Sequence, residues 1–397
     1  MNKSQNQEPN GEGRVIGMDV HPTVFSASAL NRKRASEAKV LWTHDKISMS
    51  SLSQWAKKNL HPSDIVVMEA GSNSFETCAS LQRIGLHCVV LESYQASKVG
   101  QHYLKNDRVD SIKLARVYLS GLAREVWQPD EKTRVRREIL GAYKKSVCDT
   151  TRSRNRINSF LTGFNIKRPK GLRLTRASGQ QWVLNARTWD DCEKLLLRQF
   201  FSDLRHHDAK RRELAALMAE EVMADAQLCR LLTLCGLRHI TVFAIAAVVG
   251  DISRFRNPKK LVAYIGLNPR VHASGDNSKD GRLVRHGRGY LRSLLTQGAQ
   301  AILRLDPHDN PLARWGQKLT FRKCKQTATI AVARKMITSV WYILRGFAST
   351  ILCPSKQLVV KIQKIGRDIG KEKINALGYN TITAYAEKKA SIIMQST

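Results

Sequence analysis

The amino-acid sequence predicts a mixed α/β domain at the amino-terminal end, followed by a helical arm and a mainly helical carboxy-terminal domain. As far as about Trp127, short runs of valine, isoleucine and methionine alternate with helical segments, a pattern typical of strands joined by crossover helices. Beyond Glu131, apolar residues recur every three or four positions among charged ones, which indicates amphipathic helices. The predicted boundaries are 1–13 for a disordered lead, 14–130 for the α/β domain, 131–229 for the arm, 230–350 for the third domain and 351–397 for a basic extension.

Five strand-like runs form the predicted sheet. They are Arg14–His21, Phe25–Leu30, Val40–Lys46, Asp64–Ala70 and His87–Glu92. Short connections join the first three runs, so these can pair as an antiparallel meander, whereas helices at Ser51–Leu60 and Ser74–Ile84 separate the later ones. Three hairpin-connected strands followed by alternating helix and strand is the order of the ribonuclease-H-like fold, although many α/β domains share pieces of that order.

Acidic residues stand near the ends of two of these strands and at the start of the next helix. Asp19 lies near the end of the first run and Glu69 near the end of the fourth. A buried carboxylate costs free energy unless it is paired or binds metal. Asp107 and Asp110 stand three residues apart where a helix begins, so both can point in one direction, but that pair alone is also typical of helix capping. Together with Asp19 and Glu69, it favours a metal site.

Four carboxylates of this kind suit a divalent metal that acts on phosphodiesters. Mg²⁺ (or Mn²⁺) prefers hard oxygen ligands, which Asp19, Glu69, Asp107 and Asp110 supply. Two such ions can neutralise the attacking and leaving oxygens together. His21 stands two residues after Asp19, and we interpret it as structural rather than as a ligand.

The net charge indicates nucleic acid as the partner. Lys and Arg total 66 against 33 Asp and Glu, a formal charge of +33, and such an excess destabilises a compact fold unless a polyanion is bound. No apolar stretch is long enough to span a membrane, so we expect no membrane partner. Eight cysteines without CxxC or zinc-type spacing, and amino-terminal residues without a secretion signal, favour reduced buried thiols in a cytoplasmic protein.

The arm is predicted from two long helical runs, Arg134–Phe164 and Asp190–Cys229. They surround a break at Ile166–Thr175 that contains proline and glycine. This arrangement predicts a helical hairpin or coiled coil, a common device for dimerisation. Many of the basic residues can equally form a solvated face.

The third region contains a long loop rich in glycine, serine and arginine, predicted at Gly266–Arg292. It follows a helix that begins at Asn257, an N-cap before proline, and two helices follow it, around Leu291–Leu305 and Ile330–Phe347. Glycines let the backbone approach a phosphate while guanidinium groups pair with its oxygens. The arginines predicted to contact nucleic acid are Arg270, Arg282, Arg285, Arg288 and Arg292.

The nucleophile could be water, as in a nuclease, or a side-chain hydroxyl, as in a strand transferase. A covalent protein–phosphate bond conserves the energy of the phosphodiester, so a cut strand can rejoin elsewhere without ATP. Ser274, beside a glycine and ahead of the arginines, is the natural candidate, and Ser278 is nearly as well placed. Spacing alone does not separate the two serines.

Several motifs, taken in chain order, resemble those of a known family. GMDVH, VVMEA and KNDRVD, then DISRFRNPKKLVAYIGLNPR, SGDNSKDGRLVRHGRGYLR and AVARKMITSVWYILR, resemble the DEDD transposases of the insertion-sequence-110 family, which are related to the Piv DNA invertases. The resemblance covers about residues 14–345. The usual KTDxxDA motif reads KNDRVDS, the MEATG-like motif reads MEAGS and the GIG-like hairpin reads CGLRH, and no ligand or nucleophile position is lost.

The resemblance implies a RuvC-like domain of the ribonuclease-H fold, a coiled-coil arm and a mainly α-helical transposase domain. It implies Mg²⁺ (or Mn²⁺) on the four acids and a nucleophile at Ser274, the serine of the family's SG motif, rather than Ser278. The implied activity is that of a mobile element's transposase, which cleaves and exchanges strands of donor and target DNA through a covalent 5′-phosphoserine.

The resemblance also implies partners. A non-coding bridge RNA would pair with both double-stranded DNAs, and the chain would act as a dimer or tetramer in which the acids of one subunit and the serine of another complete a site. The expected location is the cytoplasm of a bacterium, at the nucleoid.

Two other functions remain open from the residues alone. One is a RuvC-like metal-dependent DNA nuclease or Holliday-junction resolvase with water as the nucleophile. The other is a non-catalytic nucleic-acid-binding protein whose acids only cap helices and form ion pairs. The sequence does not specify the DNA sites, the guide RNA or a role for residues 351–397.

Overall fold

The structure, a computed structural model, describes residues 13–93, 107–274, 277–283, 287–308, 310–348 and 353–395, and at residues 107, 108, 270–274 and 277–283 it describes the backbone only. The chain divides into two compact units, Met1–Pro129 and Asp130–Thr397. The first unit is mixed α/β and the second is mainly helical, as the sequence predicts. Almost all of the predicted disordered lead, residues 1–13, lies outside the described residues.

A five-stranded mixed sheet forms the centre of the first unit. Its strands are β1 (Val15–Val20), β2 (Val24–Leu30), β3 (Val40–Ser48), β4 (Ile65–Glu69) and β5 (His87–Leu91). The accompanying helices are α1 (Leu52–Asn59), α2 (Ser74–Gln82) and α3 (Asp107–Leu119). The spatial order is β3-β2-β1-β4-β5, with β2 antiparallel to both β1 and β3, and β4 parallel to both β1 and β5. The predicted strands and the antiparallel meander are confirmed.

Both faces of this sheet are covered, because side chains alternate between the faces along each strand. Met18 and Met68 belong to the apolar cluster that includes residues of α1 and α2. Val15 and Val67, at alternate positions, belong to the cluster that includes residues of α3. A strand covered on both sides needs a nearly continuous apolar run, which explains the composition of β1 and β4.

A buried ion pair joins the beginnings of β1 and β4. Arg14 Nη2 lies 2.6 Å from Asp64 Oδ2, and the Asp64 side chain is 1% exposed. The same carboxylate accepts hydrogen bonds from the backbone nitrogens of Arg14 (3.1 Å) and His61 (2.8 Å). Several donors therefore compensate the cost of burying this charge.

Three helices form the arm of the second unit: α4 (Glu131–Gly163), α5 (Ala177–Asn185) and α6 (Asp191–Ala224). The beginning of α4 and the end of α6 share the main apolar core, where Leu140 and Met218 are buried. The end of α4 and the beginning of α6 share a separate core, where Ile157 and Leu197 are buried. The two long helices are therefore antiparallel. Two long helices around a break are confirmed, whereas the sequence does not predict α5.

The predicted second run of the arm, Asp190–Cys229, is wrong as a single helix. Helix α6 ends at Ala224, and α7 (Ala226–Leu231) begins after Asp225. The Asp225 carboxylate accepts hydrogen bonds from the backbone nitrogens of Gln227 (3.0 Å) and Leu228 (3.2 Å), which satisfies unpaired N–H groups at the new helix start. The apolar spacing continues across this break, so spacing alone does not reveal it.

The remaining elements complete the second unit. They are α8 (His239–Val249), α9 (Pro258–Ile265), β6 (Pro269–Ser274), β7 (Asn277–Leu283), α10 (Gly289–Ile302), α11 (Pro311–Arg322), α12 (Lys325–Leu344), α13 (Ser355–Ile369), α14 (Lys371–Ala376) and α15 (Ile382–Gln395). The prediction of a loop at Gly266–Arg292 is wrong for β6 and β7, which form an antiparallel hairpin. Glycine and aspartate are poor strand formers, so composition indicated a loop where backbone pairing makes a hairpin.

The carboxy-terminal extension belongs to the core of the second unit. It forms the three helices α13, α14 and α15, and Leu358 and Tyr385 are buried in the main core. The Lys361 ammonium group donates hydrogen bonds to the carbonyl oxygens of Leu232 (2.9 Å) and Leu234 (2.6 Å). We infer that residues 353–395 stabilise this unit.

Two expectations concern compartment and redox state. Cys148, Cys192 and Cys324 are exposed, while the other five cysteines are buried, so the expectation of buried thiols is wrong for these three. Within the described ranges, no helix is both long enough and apolar enough to cross a membrane.

Candidate active site

Asp19 and Glu69 lie at the carboxyl ends of two neighbouring parallel strands. Met18 of β1 pairs with Met68 of β4, and each acid is the next residue of its strand. Because the two methionines face α1 and α2, the two acids face the opposite side of the sheet, which α3 covers. The Asp19 side chain is 24% exposed, and Glu69 is exposed.

Helix α3 approaches this face of the sheet at Gly17. A Cβ atom at that position would lie 1.8 Å from the carbonyl oxygen of Ser111, so only glycine allows the contact. The hydroxyl groups of Ser28 and Ser111 are 2.7 Å apart in the same buried layer. The first turn of α3 lies within about 6 Å of Ser111 along the helix axis, and Asp19 lies about 7 Å beyond Gly17 along β1. The start of α3 and the ends of β1 and β4 therefore lie on one face of the sheet, and we call this region the acidic edge.

The remaining two predicted acids both lie in the first turn of α3. Lys113 Nζ is 4.0 Å from Asp110 Oδ1, and the Asp110 side chain is 32% exposed. At Asp107 the structure describes the backbone only. The elements that carry all four predicted acids meet at the acidic edge, and the direction of the Asp107 side chain stays a prediction.

Hydrogen bonds fix the segments that follow β1 and β4. Asn73 Nδ2 donates to the carbonyl oxygen of His21 (2.9 Å), which connects the two segments. Ser93 Oγ donates to the carbonyl oxygen of Ala70 (2.9 Å). His21 Nε2 lies 3.5 Å from Asp19 Oδ2, so this histidine contacts the first predicted acid.

The four carboxylates fit the donor set that Mg²⁺ prefers, because each offers hard oxygen ligands. Among the described side chains, which exclude that of Asp107, no three His, Cys, Asp or Glu residues form a group that could hold a metal ion. The neighbouring strand ends bring two of the four predicted ligands to adjacent positions, and helix α3, which carries the other two, covers the same face of the sheet. Binding of the ion stays a prediction.

Ser274 is the last residue of β6 and pairs with Asn277 of β7. It therefore lies at the turn of the hairpin formed by β6 and β7, the serine hairpin. Ser278 pairs with Ala273, one step further from the turn. Arg270 lies in β6 and Arg282 in β7, whereas the predicted contact Arg285 lies outside the described residues. No side chain of β6 or β7 beyond Pro269 is described, so the choice of nucleophile stays a prediction.

The base of the serine hairpin is attached to α9. Arg292 Nη1 donates a hydrogen bond to the carbonyl oxygen of Gly266 (3.1 Å), and Gly266 ends α9 in the left-handed conformation. Arg288 donates to the Tyr264 hydroxyl from Nη2 (2.7 Å) and Nε (3.2 Å). Two of the predicted nucleic-acid contacts thus hold the segment that carries the hairpin.

Tyr264 and Arg254 contribute to this attachment, and the sequence did not single them out. The Arg254 guanidinium carbon lies 4.5 Å from the centre of the Tyr264 ring, and Arg254 Nε donates to the carbonyl oxygen of Val249 (3.0 Å). Burial raises the pKa of Tyr264, but the positive charges of Arg288 and Arg254 outweigh burial and hold that pKa below its usual value. The sequence signal that could have identified Tyr264 is an aromatic residue on α9, the helix that precedes the arginine-rich segment.

Comparison with protein families gives two matches. A family model described as a transposase, that of the IS110 DEDD transposases, matches residues 16–166. A second model, described as the transposase IS116/IS110/IS902 family, matches residues 229–313. The first match contains the four predicted acids, and the second contains both candidate serines.

Similar proteins include transposases and one DNA-inverting protein. The transposase for insertion sequence element IS1111A of Coxiella burnetii is 24% identical over 83% of this chain and 89% of its own length. The putative transposase y4qE of Sinorhizobium fredii is 25% identical over 72% of this chain and 70% of its own. The pilin gene-inverting protein of Moraxella lacunata is 32% identical over 29% of this chain and 36% of its own.

Proposed function

Because the chain belongs to the IS110 family of DEDD transposases, we propose that it cleaves and exchanges DNA strands through a covalent 5′-phosphoserine at Ser274, with Mg²⁺ bound by Asp19, Glu69, Asp107 and Asp110. The family establishes that the chain is a DNA transposase or recombinase. The proposal adds the nucleophile, the metal ligands and the partners. The observation that carries it is the adjacent placement of Asp19 and Glu69 at the ends of two parallel strands, with the first turn of α3 on the same face.

We also infer a RuvC-like domain of the ribonuclease-H fold for the first unit. The order β3-β2-β1-β4-β5, with three strands in an antiparallel meander and two added in parallel, supports this inference. In such a domain the acids at the ends of the central strands and on the following helix act on one phosphodiester.

In the proposed reaction the Ser274 hydroxyl attacks a backbone phosphorus. A bond forms between Ser274 Oγ and phosphorus, the bond from phosphorus to the 3′ oxygen of the neighbouring nucleotide breaks, the serine proton leaves to solvent or a basic group, and the 3′ oxygen takes up a proton. Bound Mg²⁺ would neutralise charge on the attacking and leaving oxygens. A different 3′ hydroxyl can then reverse the step, which joins the strand elsewhere without ATP.

Choice of DNA site is proposed to depend on a non-coding bridge RNA. The charge of +33 supports binding of polyanions in addition to one DNA duplex, and guided systems leave sequence choice to base pairing. We further propose a dimer or tetramer in which one subunit supplies the acids and another supplies Ser274.

Substitution of the two candidate serines tests the nucleophile. Ser274→Ala is expected to abolish both strand exchange and the covalent protein–DNA adduct that denaturing gels detect, while the matched variant Ser278→Ala keeps both. Loss of the adduct in Ser278→Ala with retention in Ser274→Ala would assign the nucleophile to the other strand of the hairpin. Retention in both variants would refute a serine of this hairpin as the nucleophile.

Removal of RNA tests the guide. Protein purified with its bound RNA is treated with ribonuclease, and its selection among DNA sites is then compared with that of untreated protein. We expect selection to be lost and to return when the RNA is added back. Selection that survives the treatment would refute the guide.

A hydrolytic nuclease or junction resolvase is the second candidate function. It is favoured by one observation: the acids all belong to the unit Met1–Pro129, which does not contain Ser274. If water is the nucleophile, Ser274→Ala retains metal-dependent cleavage and Asp19→Asn abolishes it. If Ser274 is the nucleophile, both substitutions abolish cleavage.

A further inference from the structure

The far end of the arm is unusual in its charge. Residues 150–189 contain no Asp or Glu, although the chain's average of 33 acids in 397 residues predicts about three in a segment of that length. The same residues include nine cations. They are Arg152, Arg154, Arg156, Lys167, Arg168, Lys170, Arg173, Arg176 and Arg187. We call residues 150–189 the arm tip.

The arm tip is folded around its own apolar core. Ile157 and Leu161 of α4, Val183 of α5 and Trp189 belong to a buried cluster separate from the main core of the unit. Trp189 Nε1 donates a hydrogen bond to the carbonyl oxygen of Val183 (3.0 Å), which fixes the segment between α5 and α6. The cations are therefore held on a folded surface rather than on an extended chain.

Four of the nine cations form ion pairs or hydrogen bonds with other residues of the arm. Arg152 lies 3.3 Å from Asp149, and Arg156 lies 3.6 Å from Asp203. Arg187 pairs with Glu193 at 3.3 Å and lies 4.3 Å from the centre of the Phe164 ring. Arg168 Nε donates to Asn158 Oδ1 at 3.1 Å, which helps to shape the connection to α5.

The other five cations are exposed, and none forms an ion pair with another described residue. They are Arg154, Lys167, Lys170, Arg173 and Arg176. In the part of the chain that the structure describes, no ion pair offsets the repulsion among these five cations, and a polyanion would offset it.

The opposite end of the arm shows that this arrangement is local. There, three cations of α4 and α6 have carboxylate partners: Arg136 Nε lies 2.5 Å from Glu221 Oε1, and Arg211 Nη2 and Arg212 Nη2 lie 2.7 and 2.6 Å from the Asp208 carboxylate. A basic surface that served only solubility would not need a 40-residue segment without acids, as residues 150–189 are. Exclusion of acids at the arm tip fits a surface that must accept a polyanion.

We propose that the arm tip binds the phosphate backbone of a nucleic acid through these five cations. The site is distinct from the acidic edge and the serine hairpin, and it rests on the proposed function only in that the nucleic acid is a DNA or RNA of the transposition reaction. Trp182 and Phe164 are only partly exposed, so contacts to phosphates rather than stacking on bases supply the affinity. Such contacts are independent of sequence and weaken as salt increases.

The test compares two full-length variants that lose the same charge. The tip variant carries Lys167→Gln, Lys170→Gln, Arg173→Gln and Arg176→Gln. The control variant carries Lys356→Gln, Lys364→Gln, Lys371→Gln and Lys388→Gln, at four exposed positions of the carboxy-terminal helices. Binding of a labelled DNA duplex and of a labelled RNA hairpin is measured over a range of salt concentrations, and thermal unfolding confirms that both variants fold.

We expect the tip variant to bind at least about tenfold more weakly than the control variant near physiological salt. The magnitude of the slope of log K against log salt should fall by up to about 3.6 for duplex DNA, because each of the four phosphate contacts that are removed contributes about 0.9. A loss confined to DNA identifies DNA as the ligand, and a loss confined to the RNA hairpin identifies RNA. A paired variant with Arg173→Lys and Arg176→Lys should retain binding, since it keeps the charge.

Equal affinity and equal slope in the tip and control variants, for both nucleic acids, would overturn the proposal. The covalent adduct is measured in parallel on wild-type protein. If wild-type protein forms no adduct, the proposed nucleophile fails while the result for the arm tip still stands. If the adduct forms and the tip variant binds like the control variant, only the arm tip proposal fails.

Discussion

The acidic edge of the first unit and the serine hairpin of the second are supported in different ways. The acidic edge lies on strands that are covered on both faces, and α3 reaches it through a contact at Gly17 that leaves no room for a Cβ atom. The strands of the serine hairpin form a sheet of two, with no third strand among the described residues. Polar contacts from Arg288 and Arg292 hold the segment that follows the hairpin.

This difference has a consequence for mutations. Changes beneath the acidic edge should alter stability and catalysis together, because the same apolar layers position the acids and hold the unit folded. Changes to Arg288 and Arg292 at the base of the serine hairpin should alter catalysis with little effect on stability, because these side chains hold the segment through hydrogen bonds.

The largest expected effect is on strand cleavage. It distinguishes Asp19 from Asp64, which lie at opposite ends of the pair formed by β1 and β4. Asp19→Asn should lower strand cleavage at least about 100-fold with little loss of stability, because loss of a metal ligand removes several kcal/mol of charge stabilisation. Asp64→Asn should instead lower the free energy of unfolding by about 2 kcal/mol, since it breaks the buried pair with Arg14. Cleavage assays and denaturant titrations measure the two effects. Unchanged cleavage in Asp19→Asn would contradict the metal site.

Gly17→Ala tests the coupling of packing and catalysis in the first unit. The added Cβ would lie 1.8 Å from the Ser111 carbonyl oxygen, so α3 must move, and we expect a loss of about 3 kcal/mol or more in the free energy of unfolding together with cleavage activity. The matched control is Gly141→Ala in α4, where an added Cβ would meet no atom within 4 Å outside the backbone of its own helix. Alanine at this position should stabilise the helix by up to about 1 kcal/mol. A fully stable Gly17→Ala protein would show that α3 lies elsewhere.

His239 gives the second unit a pH dependence of its own. Burial, together with the charge of Arg238, lowers the pKa of His239 to about 4. Between about pH 6.5 and 4, His239 is therefore protonated in the unfolded chain but neutral in the folded chain. Stability should therefore fall as the pH decreases from 6.5 to 4, by at most about 3 kcal/mol at about 1.4 kcal/mol per pH unit. His239→Leu should remove this part of the decrease in denaturant titrations at several pH values.

The carboxylate of Asp368, which neighbours His239, has the opposite effect on how the stability of the second unit depends on pH. Asp368 Oδ2 lies 3.5 Å from His239 Nε2, and burial raises the pKa of Asp368 above its usual value. Its protonation stabilises the folded state as the pH falls toward that raised pKa. The comparison of wild type with His239→Leu isolates the histidine, and equal slopes of stability against pH in the two proteins would contradict its role.

Arg292→Ala should have the smallest effect and tests the attachment of the serine hairpin. Loss of the hydrogen bond to the Gly266 carbonyl oxygen is expected to lower strand exchange about tenfold, equivalent to about 1.4 kcal/mol, with the melting temperature nearly unchanged. Arg292→Lys should recover part of the activity, since the donor and its charge return. A large loss of stability without a loss of strand exchange would show that the residue serves packing alone.

Much of the first unit was predictable because the residues that indicate each strand are consecutive in the sequence. The five strands and their antiparallel meander followed from short apolar runs and short connections, and Asp19 and Glu69 stood out as acids near the ends of such runs. The serine hairpin was not predictable, because its residues favour a loop and its strands are defined by pairing with each other. Helix α11 begins with the same local signal as α9: Asn310 caps it before Pro311, as Asn257 caps α9 before Pro258.

The sequence by itself determined the class of the two units, the family and the identity of the candidate acids and serine, because periodicity and motifs are written in consecutive residues. Only the tertiary structure decided that Asp19 and Glu69 are adjacent, that Gly17 admits α3 beside them, and that the carboxy-terminal helices belong to the core. These facts depend on pairing and packing between residues far apart in the chain, and local preferences carry no information about such distances.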